Sequence, residues 1–416
     1  MIAFISVSPF VRSGTGENIK ALAGTRQRIY RDGVLLEFVP GLRLCRDFYT
    51  EAVRPILDEA HPGLPYAAAR IGPGSEVLGF DTPRSVDHDW GPRLELFLLP
   101  EDVARHGADL SALLAARLPK HVGGWPTNFE PADARVRVMT PTTGPVAHRV
   151  HITDVATWSV ERLGFDGRAE PTTLDWLATP TQRLAETVGG AVFHDGVGEL
   201  TALRRRLDWY PDGVWRRVLA AQWTRIAQEE AFVGRTAEIG DELGSRIVAA
   251  RLARDVTRLV LLLARRFPPY GKWLGSALTA LPEAAGIVAA LHDALAAADA
   301  RQRQASLCDA YEAAGDWQNR LGIAETVDAT RRPYFDRPFP VIDAGRFAAA
   351  LTEDETPGTD GEAPGIEDEA PGTEGGAPEA EGEAPGIGGI DQFADSTDVL
   401  ERPDLARRIM RAATAP

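Results

Sequence analysis

The sequence predicts an α+β protein in which a mixed unit, residues 38–165, precedes a helical domain, residues 166–350. Short apolar or alternating runs that are typical of strands cluster before Asp166, whereas long Ala-, Leu- and Arg-rich segments with helical spacing follow it. A hydrophobic content of 44% is enough to build a core, which excludes a chain that is disordered throughout. Residues 1–37 are expected to form an irregular amino-terminal extension.

The mixed unit is predicted to alternate helices and strands. Its glycine-rich turn, residues 72–75, separates the first strand from an extended segment. The predicted elements are a helix over residues 42–57, a strand over 66–71, an extended segment over 86–99, a helix over 100–118, and a strand pair over 136–138 and 150–152.

The second domain is predicted to be a helical bundle, because few β-branched runs interrupt its alanine- and leucine-rich segments. The predicted helices cover residues 174–184, 215–228, 246–266 and 284–314, and an extended segment over 337–342 closes the domain.

The acidity of the chain is local. The formal net charge is −15, but residues 351–391 contain 13 acids and no Lys or Arg, which leaves −15 + 13 = −2 for the rest. Proline recurs every seven residues from Pro357 to Pro385, which excludes a coiled coil. Residues 351–388 are therefore predicted to be a disordered acidic insertion with a Pro/Gly heptapeptide repeat. This segment is either an insertion that the fold tolerates or an interaction tail. Residues 389–416 are expected to return to the folded body.

A candidate site for phosphate chemistry lies in the mixed unit. Asp87 and Asp89 lie two apart on a predicted strand, so both carboxylates face the same side, which suits Mg²⁺. Eleven residues separate Asp87 from Ser75, and Gly74 and Ser75 close a turn whose N–H groups and hydroxyl are suited to nucleotide phosphates. Paired acids also cap turns, so the spacing alone leaves a structural role open.

These motifs resemble those of known families. Gly74-Ser75 with Asp87-x-Asp89 is similar to the signature of the DNA polymerase beta superfamily of nucleotidyltransferases. The string over residues 72–93 resembles the bacterial family called domain of unknown function 4037. That likeness extends over about residues 38–350 and 388–400, through segments such as Tyr270-Gly271-Lys272-Trp273 and Asp391-Gln392.

The resemblance implies a minimal nucleotidyltransferase-fold domain followed by an all-α helical domain. It implies that Asp87 and Asp89 bind two Mg²⁺ ions, that Gly74 and Ser75 bind the triphosphate, and that a nucleoside monophosphate moves to an acceptor hydroxyl. The superfamily has a third carboxylate on a later strand, and Asp154 has the corresponding place in the chain.

Four further residues have both a functional and a structural interpretation. Arg84 either neutralises phosphate or pairs with Asp81 or Asp87, and Lys272 either reaches a phosphate or acceptor or lies over Trp273. In the kanamycin-type arrangement an acid of the helical domain serves as general base, which makes Glu238 and Asp241 candidates. Ion pairs along or between helices explain the same two acids.

Other classes of function are set aside. The chain has no phosphate-binding P-loop motif, no nucleophile elbow and no basic stripe for tight nucleic-acid binding. No run reaches the length of a membrane span, and residues 1–10 lack the basic start of a signal peptide, so we expect a cytoplasmic protein.

The leading hypothesis is a Mg²⁺-dependent nucleotidyltransferase with an unidentified acceptor. Its alternatives are a non-catalytic nucleotide-sensing or protein-interaction module that keeps the fold, and a partner-binding protein that acts through its acidic repeat.

Overall fold

A computed structural model describes residues 28–31, 34–131, 136–352 and 387–414, and the contacts between these residues divide the chain into two units. Unit 1 extends to Asp175 and also includes residues 182–208; unit 2 consists of residues 176–181 and the chain from Trp209 onward. Unit 1 mixes strands and helices, and unit 2 is almost entirely helical. The α+β class is therefore confirmed, whereas a nucleotidyltransferase fold followed by a helical bundle stays a prediction.

Unit 1 is built on a four-stranded sheet in the order β10 (Ala191–Asp195), β3 (Tyr66–Arg70), β4 (Arg93–Leu98) and β9 (Arg149–Thr153). Strand β3 is antiparallel to both of its neighbours, β10 and β4, whereas β9 runs parallel to β4. Because a parallel neighbour needs a crossover, the chain between β4 and β9 passes through a long helix, α3 (Pro100–Arg117).

The two parallel strands alternate apolar and polar residues, which gives the sheet two different faces. Leu94, Leu96 and Leu98 of β4 enter the hydrophobic core together with Val150 of β9. The residues between them, beginning with Arg93, point to the opposite face. The polar half of this alternation forms the candidate site.

Helices connect the strands, and the helical segments over residues 41–60 and 100–117 pack on the apolar face. The predicted helix over residues 42–57 is confirmed as one continuous helical segment with a π-helical turn in its middle. The helical elements are α1 (Gly41–Phe48), the π turn (Tyr49–Val53), α2 (Arg54–Ala60), a 3-10 helix (Pro83–Asp87), α3, α4 (Val155–Leu163), α6 (Thr181–Val188) and α7 (Glu199–Arg206), with α5 (Thr173–Ala178) at the division between the units.

The extended segment predicted over residues 86–99 was wrong in its first part, because β4 begins only at Arg93. The sequence Thr82-Pro-Arg-Ser85 forms a capping box, in which Thr82 Oγ1 accepts a hydrogen bond from Arg84 N and Ser85 Oγ accepts one from Thr82 N. This box starts the 3-10 helix that ends at Asp87. Asp87 and Asp89 therefore do not lie on a strand.

The predicted pairing of residues 136–138 with 150–152 was also wrong. The short strand β8 (Val138–Met139) pairs with β7 (Phe129–Glu130), whereas β9 joins the central sheet beside β4. The pairing with β4 places Val150 in the core, a burial that a detached hairpin would not provide.

Strand β10 was not expected, because its residues lie within the segment predicted to be helical. It pairs with β3 in a register that sets Ala191 opposite Arg70. This edge strand brings residues 182–208 into unit 1, so the division of the chain differs from the boundary predicted at residues 165 and 166.

The amino-terminal region contains a hairpin of β1 (Arg28–Arg31) and β2 (Val34–Glu37), where only irregular structure was expected. Residues 1–27 and 32–33 of that predicted extension lie outside the described residues. A further small pair is formed by β5 (His121–Val122) and β6 (Trp125–Pro126).

Unit 2 packs helices around a core rich in leucine, alanine and tryptophan. Trp223, for example, stacks on Phe347 with ring centroids 4.5 Å apart. Its elements are α8 (Asp212–Glu229), α9 (Phe232–Glu238), α10 (Glu242–Leu263), α11 (Gly271–Thr279), a 3-10 helix (Pro282–Ala284), α12 (Ala285–Ala296), α13 (Ala300–Leu321), β11 (Arg332–Pro333), β12 (Pro340–Val341), α14 (Gly345–Thr352), a 3-10 helix (Ile390–Gln392), α15 (Thr397–Leu400) and α16 (Pro403–Ala413).

Two predicted helices are each divided in the structure. The segment over 284–314 breaks before α13, where Asp299 caps the new helix by accepting a hydrogen bond from Gln302 N at 2.8 Å. The segment over 174–184 breaks at Pro180, which cannot continue a helix from the preceding turn. The sequence pattern predicted a single helix in each case, because alanine and leucine continue across both breaks.

The segment that follows the acidic repeat contacts unit 2 through Asp391. The Asp391 carboxylate accepts hydrogen bonds from Thr181 N at 2.8 Å and Thr181 Oγ1 at 3.2 Å, and lies 3.4 Å from the Arg258 guanidinium. Ile390 beside it is completely buried. Residues 353–386 of the predicted disordered insertion lie outside the described residues.

Within the described part of the chain, no single helix is long and apolar enough to cross a membrane. The pair of helical segments Gly271–Thr279 and Pro282–Ala296 meets the length and composition criteria only when joined, and it is bent by 89°.

We expect Asp391→Ala to destabilise unit 2 by about 3–5 kcal/mol, because it leaves the buried Arg258 without its carboxylate. Urea unfolding followed by circular dichroism measures the loss. The matched control is Asp395→Ala in the same segment, whose carboxylate is 75% exposed and should cost less than about 1 kcal/mol. Equal effects of the two substitutions would contradict the role assigned to Asp391.

Candidate anion-binding site

A cavity of about 420 Å³ opens on the polar face of the sheet in unit 1. This volume is within the range of small-molecule sites. Pro73 of the glycine-rich turn is part of its wall, and two histidines and two glutamates also line it. Five of the lining residues are arginines: Arg70, Arg93, Arg137, Arg149 and Arg162.

The register of β4 against β9 brings the polar side chains together. Arg93 lies opposite Arg149, and Glu95 lies opposite His151. Residues two apart on a strand share a face, so all four side chains belong to the same face of the sheet. The cavity is thus a direct result of two alternating strands in parallel register.

A buried carboxylate joins two of the arginines. Glu76 Oε1 accepts a hydrogen bond from Arg70 Nε at 2.7 Å and another from the Arg93 guanidinium. The three side chains are only 1%, 2% and 8% exposed, for Glu76, Arg70 and Arg93 respectively. Burial alone raises the pKa of Glu76, but Arg93 and Arg70 outweigh this effect and lower the pKa to about 2.

The same cluster shapes the glycine-rich turn. The Arg70 guanidinium donates hydrogen bonds to the carbonyl oxygens of Ile71 and Pro73. Gly74 has φ +154°, and a Cβ at this position would lie 2.5 Å from Arg70 Nη2. Glycine is therefore required here by the packing of the arginine cluster, a reason that differs from the phosphate contact predicted for it.

His151 and Glu95 form a second pair in the cavity. His151 Nδ1 donates a hydrogen bond to Glu95 Oε2 at 2.7 Å. This bond raises the pKa of His151 despite its partial burial. Burial raises the pKa of Glu95, but the His151 hydrogen bond outweighs it and the pKa is lowered. Since Nδ1 is engaged, Nε2 is the ring nitrogen left to contact a ligand.

His148, by contrast, has a structural role. Its Nε2 donates a hydrogen bond to Ser111 O at 3.0 Å, and its Nδ1 accepts one from Val150 N at 3.2 Å. Burial lowers the pKa of His148, which favours the neutral ring that these two bonds require.

Arg149 pairs with one of the predicted metal ligands. Its guanidinium donates a hydrogen bond to Asp89 Oδ1, and it also lies over the Phe129 ring, 5.7 Å from the centroid. Asp89 has φ +47°, and its backbone N–H donates to Arg137 O at 2.9 Å. Asp89 is therefore tied to two of the arginines that line the cavity.

The residues predicted to hold Mg²⁺ have other partners in the structure. Asp87 is exposed, and its Oδ1 accepts a hydrogen bond from His88 N at 2.9 Å. Asp89 forms an ion pair with Arg149. Across the described ranges, no three His, Cys, Asp or Glu side chains are grouped so that they could share a metal ion.

Asp154 is the amino-terminal cap of α4. Its Oδ1 accepts a hydrogen bond from Thr157 N at 2.9 Å, and its Oδ2 accepts one from Thr157 Oγ1 at 2.7 Å. Both carboxylate oxygens are therefore hydrogen-bonded to the first turn of α4, and helix capping is a structural explanation for this acid.

The candidates in the helical domain have structural contacts within unit 2. Glu238 Oε2 accepts a hydrogen bond from Arg337 at 2.5 Å, and Asp241 caps α10 by accepting one from Gly244 N at 2.8 Å. Lys272 is exposed, with Nζ 5.4 Å from the centroid of the Trp273 ring. These contacts match the structural alternatives recognised in the sequence.

Gly74 and Ser75 lie in the turn beside the cavity, and Ser75 O accepts a hydrogen bond from Phe80 N at 2.8 Å. Arg84 is exposed on the 3-10 helix and does not line the cavity. The geometry thus separates Arg84 from the other predicted phosphate-binding residues.

Sequence reasoning missed the residues that build the cavity, chiefly Arg93, Glu95, Arg149 and His151. Their signal was present: Arg-Leu-Glu-Leu-Phe-Leu and Arg-Val-His-Ile-Thr both alternate polar and apolar residues. It became informative only once the two strands were known to be neighbours in parallel register.

A model of the family described as "Domain of unknown function (DUF4037)" matches residues 176–274, which supports the resemblance to that family. The residues of the cavity lie outside this range. A search of curated proteins finds no match.

We expect Glu76→Gln to destabilise unit 1 by about 3–5 kcal/mol, because it leaves two buried arginines without their shared carboxylate. Denaturant unfolding of the full chain measures this change. Glu59→Gln is the control, since Glu59 pairs with Arg117 at the surface and its loss should leave the unfolding midpoint unchanged. A midpoint unchanged in Glu76→Gln as well would contradict the role of the cluster.

The Glu76 carboxylate also predicts that the protein loses stability at acid pH. The pKa of Glu76 is lowered from its ordinary value near 4.5 to about 2. Its contribution is therefore present above pH 4.5 and is lost as the pH falls towards 2. We expect the wild type to lose stability in this window more steeply than Glu76→Gln, as measured by thermal melts from pH 6 to pH 2. Parallel pH profiles would be inconsistent with this assignment.

Asp154 can be tested as a cap. We expect Asp154→Asn to retain stability, because asparagine caps helices as well as aspartate does, and Asp154→Ala to cost about 1 kcal/mol. Thermal melts of the two variants measure the difference. Equal destabilisation by both substitutions would show that the charge, and not the cap, is needed.

Proposed function

We propose that unit 1 binds the phosphate groups of a nucleotide in its arginine-lined cavity and serves as a nucleotide-sensing module. The observation that carries the proposal is the convergence of five arginines on one cavity beside the Gly72–Ser75 turn. Guanidinium groups bind phosphate oxygens through paired, charge-assisted hydrogen bonds, which makes arginine well suited to such a site.

Acids offset most of the positive charge at the cavity. Among the described residues, the five lining arginines are opposed by Glu95 and Glu161 in the wall, and by Glu76 and Asp89, which pair with wall arginines. The excess of positive charge is therefore small before any protonation of His151. Because this excess is small, selectivity must come from directed hydrogen bonds rather than from net charge.

We favour sensing over catalysis because the predicted metal ligands do not converge among the described residues. Phosphoryl-group transfer depends on cations that bridge phosphate oxygens and align the attacking group. Asp87 and Asp89 have other partners, and among the described residues no third acid is grouped with them. A binding role needs only the arginines and the turn.

The second candidate is the Mg²⁺-dependent nucleotidyltransferase expected from the motifs, which moves a nucleoside monophosphate to an acceptor hydroxyl. One observation favours it: Asp89 contacts Arg149 at the cavity, so one predicted metal ligand is near the predicted phosphate site. A partner role for the acidic repeat concerns residues outside those described.

The test is nucleotide binding measured by thermal shift. We expect ATP, GTP, CTP or UTP to raise the melting temperature of the wild type, since a ligand at 100 times its dissociation constant stabilises by about 2.7 kcal/mol. Arg149→Gln should reduce the shift. The matched control is Arg105→Gln on α3, whose side chain is 68% exposed and does not line the cavity.

Each outcome has a defined meaning. A shift that is lost in Arg149→Gln and kept in Arg105→Gln supports nucleotide binding in the cavity. No shift with any of the four nucleotides, with or without Mg²⁺, would overturn the proposal. Turnover of a nucleoside triphosphate with release of pyrophosphate would favour the second candidate.

A further inference from the structure

The arginines of the cavity differ in how firmly they are held. Arg70 and Arg93 are buried and share Glu76. Arg149 and its partner Asp89 are more open, with side chains 23% and 30% exposed. A ligand that enters the cavity can therefore reach the Arg149–Asp89 pair without disrupting the buried cluster.

Asp89 presents its carboxylate to Arg149 in the way an anionic ligand would. Its left-handed backbone and the hydrogen bond from its N–H to Arg137 O direct the side chain to this position. Carboxylate and phosphate oxygens have the same complementarity to a guanidinium group, and a phosphate group can carry the larger charge. The two groups thus compete for one donor.

A second observation points to a ligand at the same place. Arg93, opposite Arg149 in the sheet, has its Nε buried without an acceptor within the described chain. Buried donors are nearly always paired, so Arg93 has an unused donor that is suited to an oxygen of a ligand once the side chain shifts. Arg93 and Arg149 both line the cavity, one from each strand.

We propose that a phosphate group of the ligand displaces the Asp89 carboxylate from Arg149, so that the cavity binds phosphate without a divalent cation. This inference rests on the nucleotide binding proposed above and specifies its mode. A cation bound to Asp89 Oδ1 would lie beside the Arg149 guanidinium and be repelled by it. Arginine and metal are therefore alternative partners of Asp89.

The proposal predicts an unusual direction for one substitution. Asp89→Asn removes a competing charge from Arg149, so we expect it to tighten binding of inorganic tripolyphosphate about three- to tenfold in EDTA. Asparagine tolerates the left-handed backbone of residue 89, so the local conformation is preserved. Isothermal titration calorimetry on the full chain measures the affinity, and a melt without ligand checks folding.

The matched control is Asp87→Asn. Asp87 is exposed, pairs with His88 and does not line the cavity, so its substitution should leave tripolyphosphate affinity unchanged. A site in which both aspartates hold Mg²⁺ predicts the opposite for both variants. In that case each substitution weakens binding, and the wild type binds tripolyphosphate only when Mg²⁺ is present.

The outcomes separate the two proposals. Tighter binding by Asp89→Asn in EDTA, with Asp87→Asn unchanged, supports the exchange. Binding that requires Mg²⁺, or that Asp89→Asn weakens, overturns the exchange while nucleotide binding in the cavity stands. If tripolyphosphate does not bind and no nucleotide shifts the melting temperature, both proposals are wrong.

Discussion

The candidate site of unit 1 depends on the Glu76 carboxylate, which two buried arginines share. Arg70 and Arg93 come from neighbouring strands, and Glu76 follows the glycine-rich turn after the first of them. Buried guanidinium groups are tolerated only with a hydrogen-bonded counter-charge, so this one acid allows a sheet face to carry several arginines. The carbonyl groups of the turn are directed to Arg70 by the same arrangement, and Gly74 is needed because any side chain would strike it.

The charged groups of the cavity differ in how deeply they are buried. Arg93 pairs with the buried Glu76, whereas Arg149 pairs with Asp89 in a more exposed contact. A fixed group beside an exchangeable one is a physical basis for binding an anion selectively, since the site is partly organised before the ligand arrives. His151, oriented by Glu95, adds a donor whose charge depends on pH.

The functional hypotheses differ in the role that they give to Asp87 and Asp89. A nucleotidyltransferase needs Asp87 and Asp89 to converge on metal ions, whereas a nucleotide sensor needs only the arginines. Thr82 and Ser85 start a 3-10 helix that ends at Asp87, and this local structure prevents the strand geometry that the metal hypothesis assumed. The backbone conformation at Asp87 and Asp89 therefore decides which role their carboxylates can have.

The sequence by itself determined the α+β class, the helix over α1 and α2, the strand β3, the helix α3 and the helical nature of unit 2, because these follow from local periodicity and from turn residues. It also identified the turn at Gly74 beside the cavity. Only the tertiary structure decided that β9 lies parallel to β4, that β10 joins the same sheet, and that Arg149 pairs with Asp89 across 60 residues of chain. Strand partners and ion pairs between distant residues leave no periodic trace in a single sequence, since they depend on which segments the fold brings into contact.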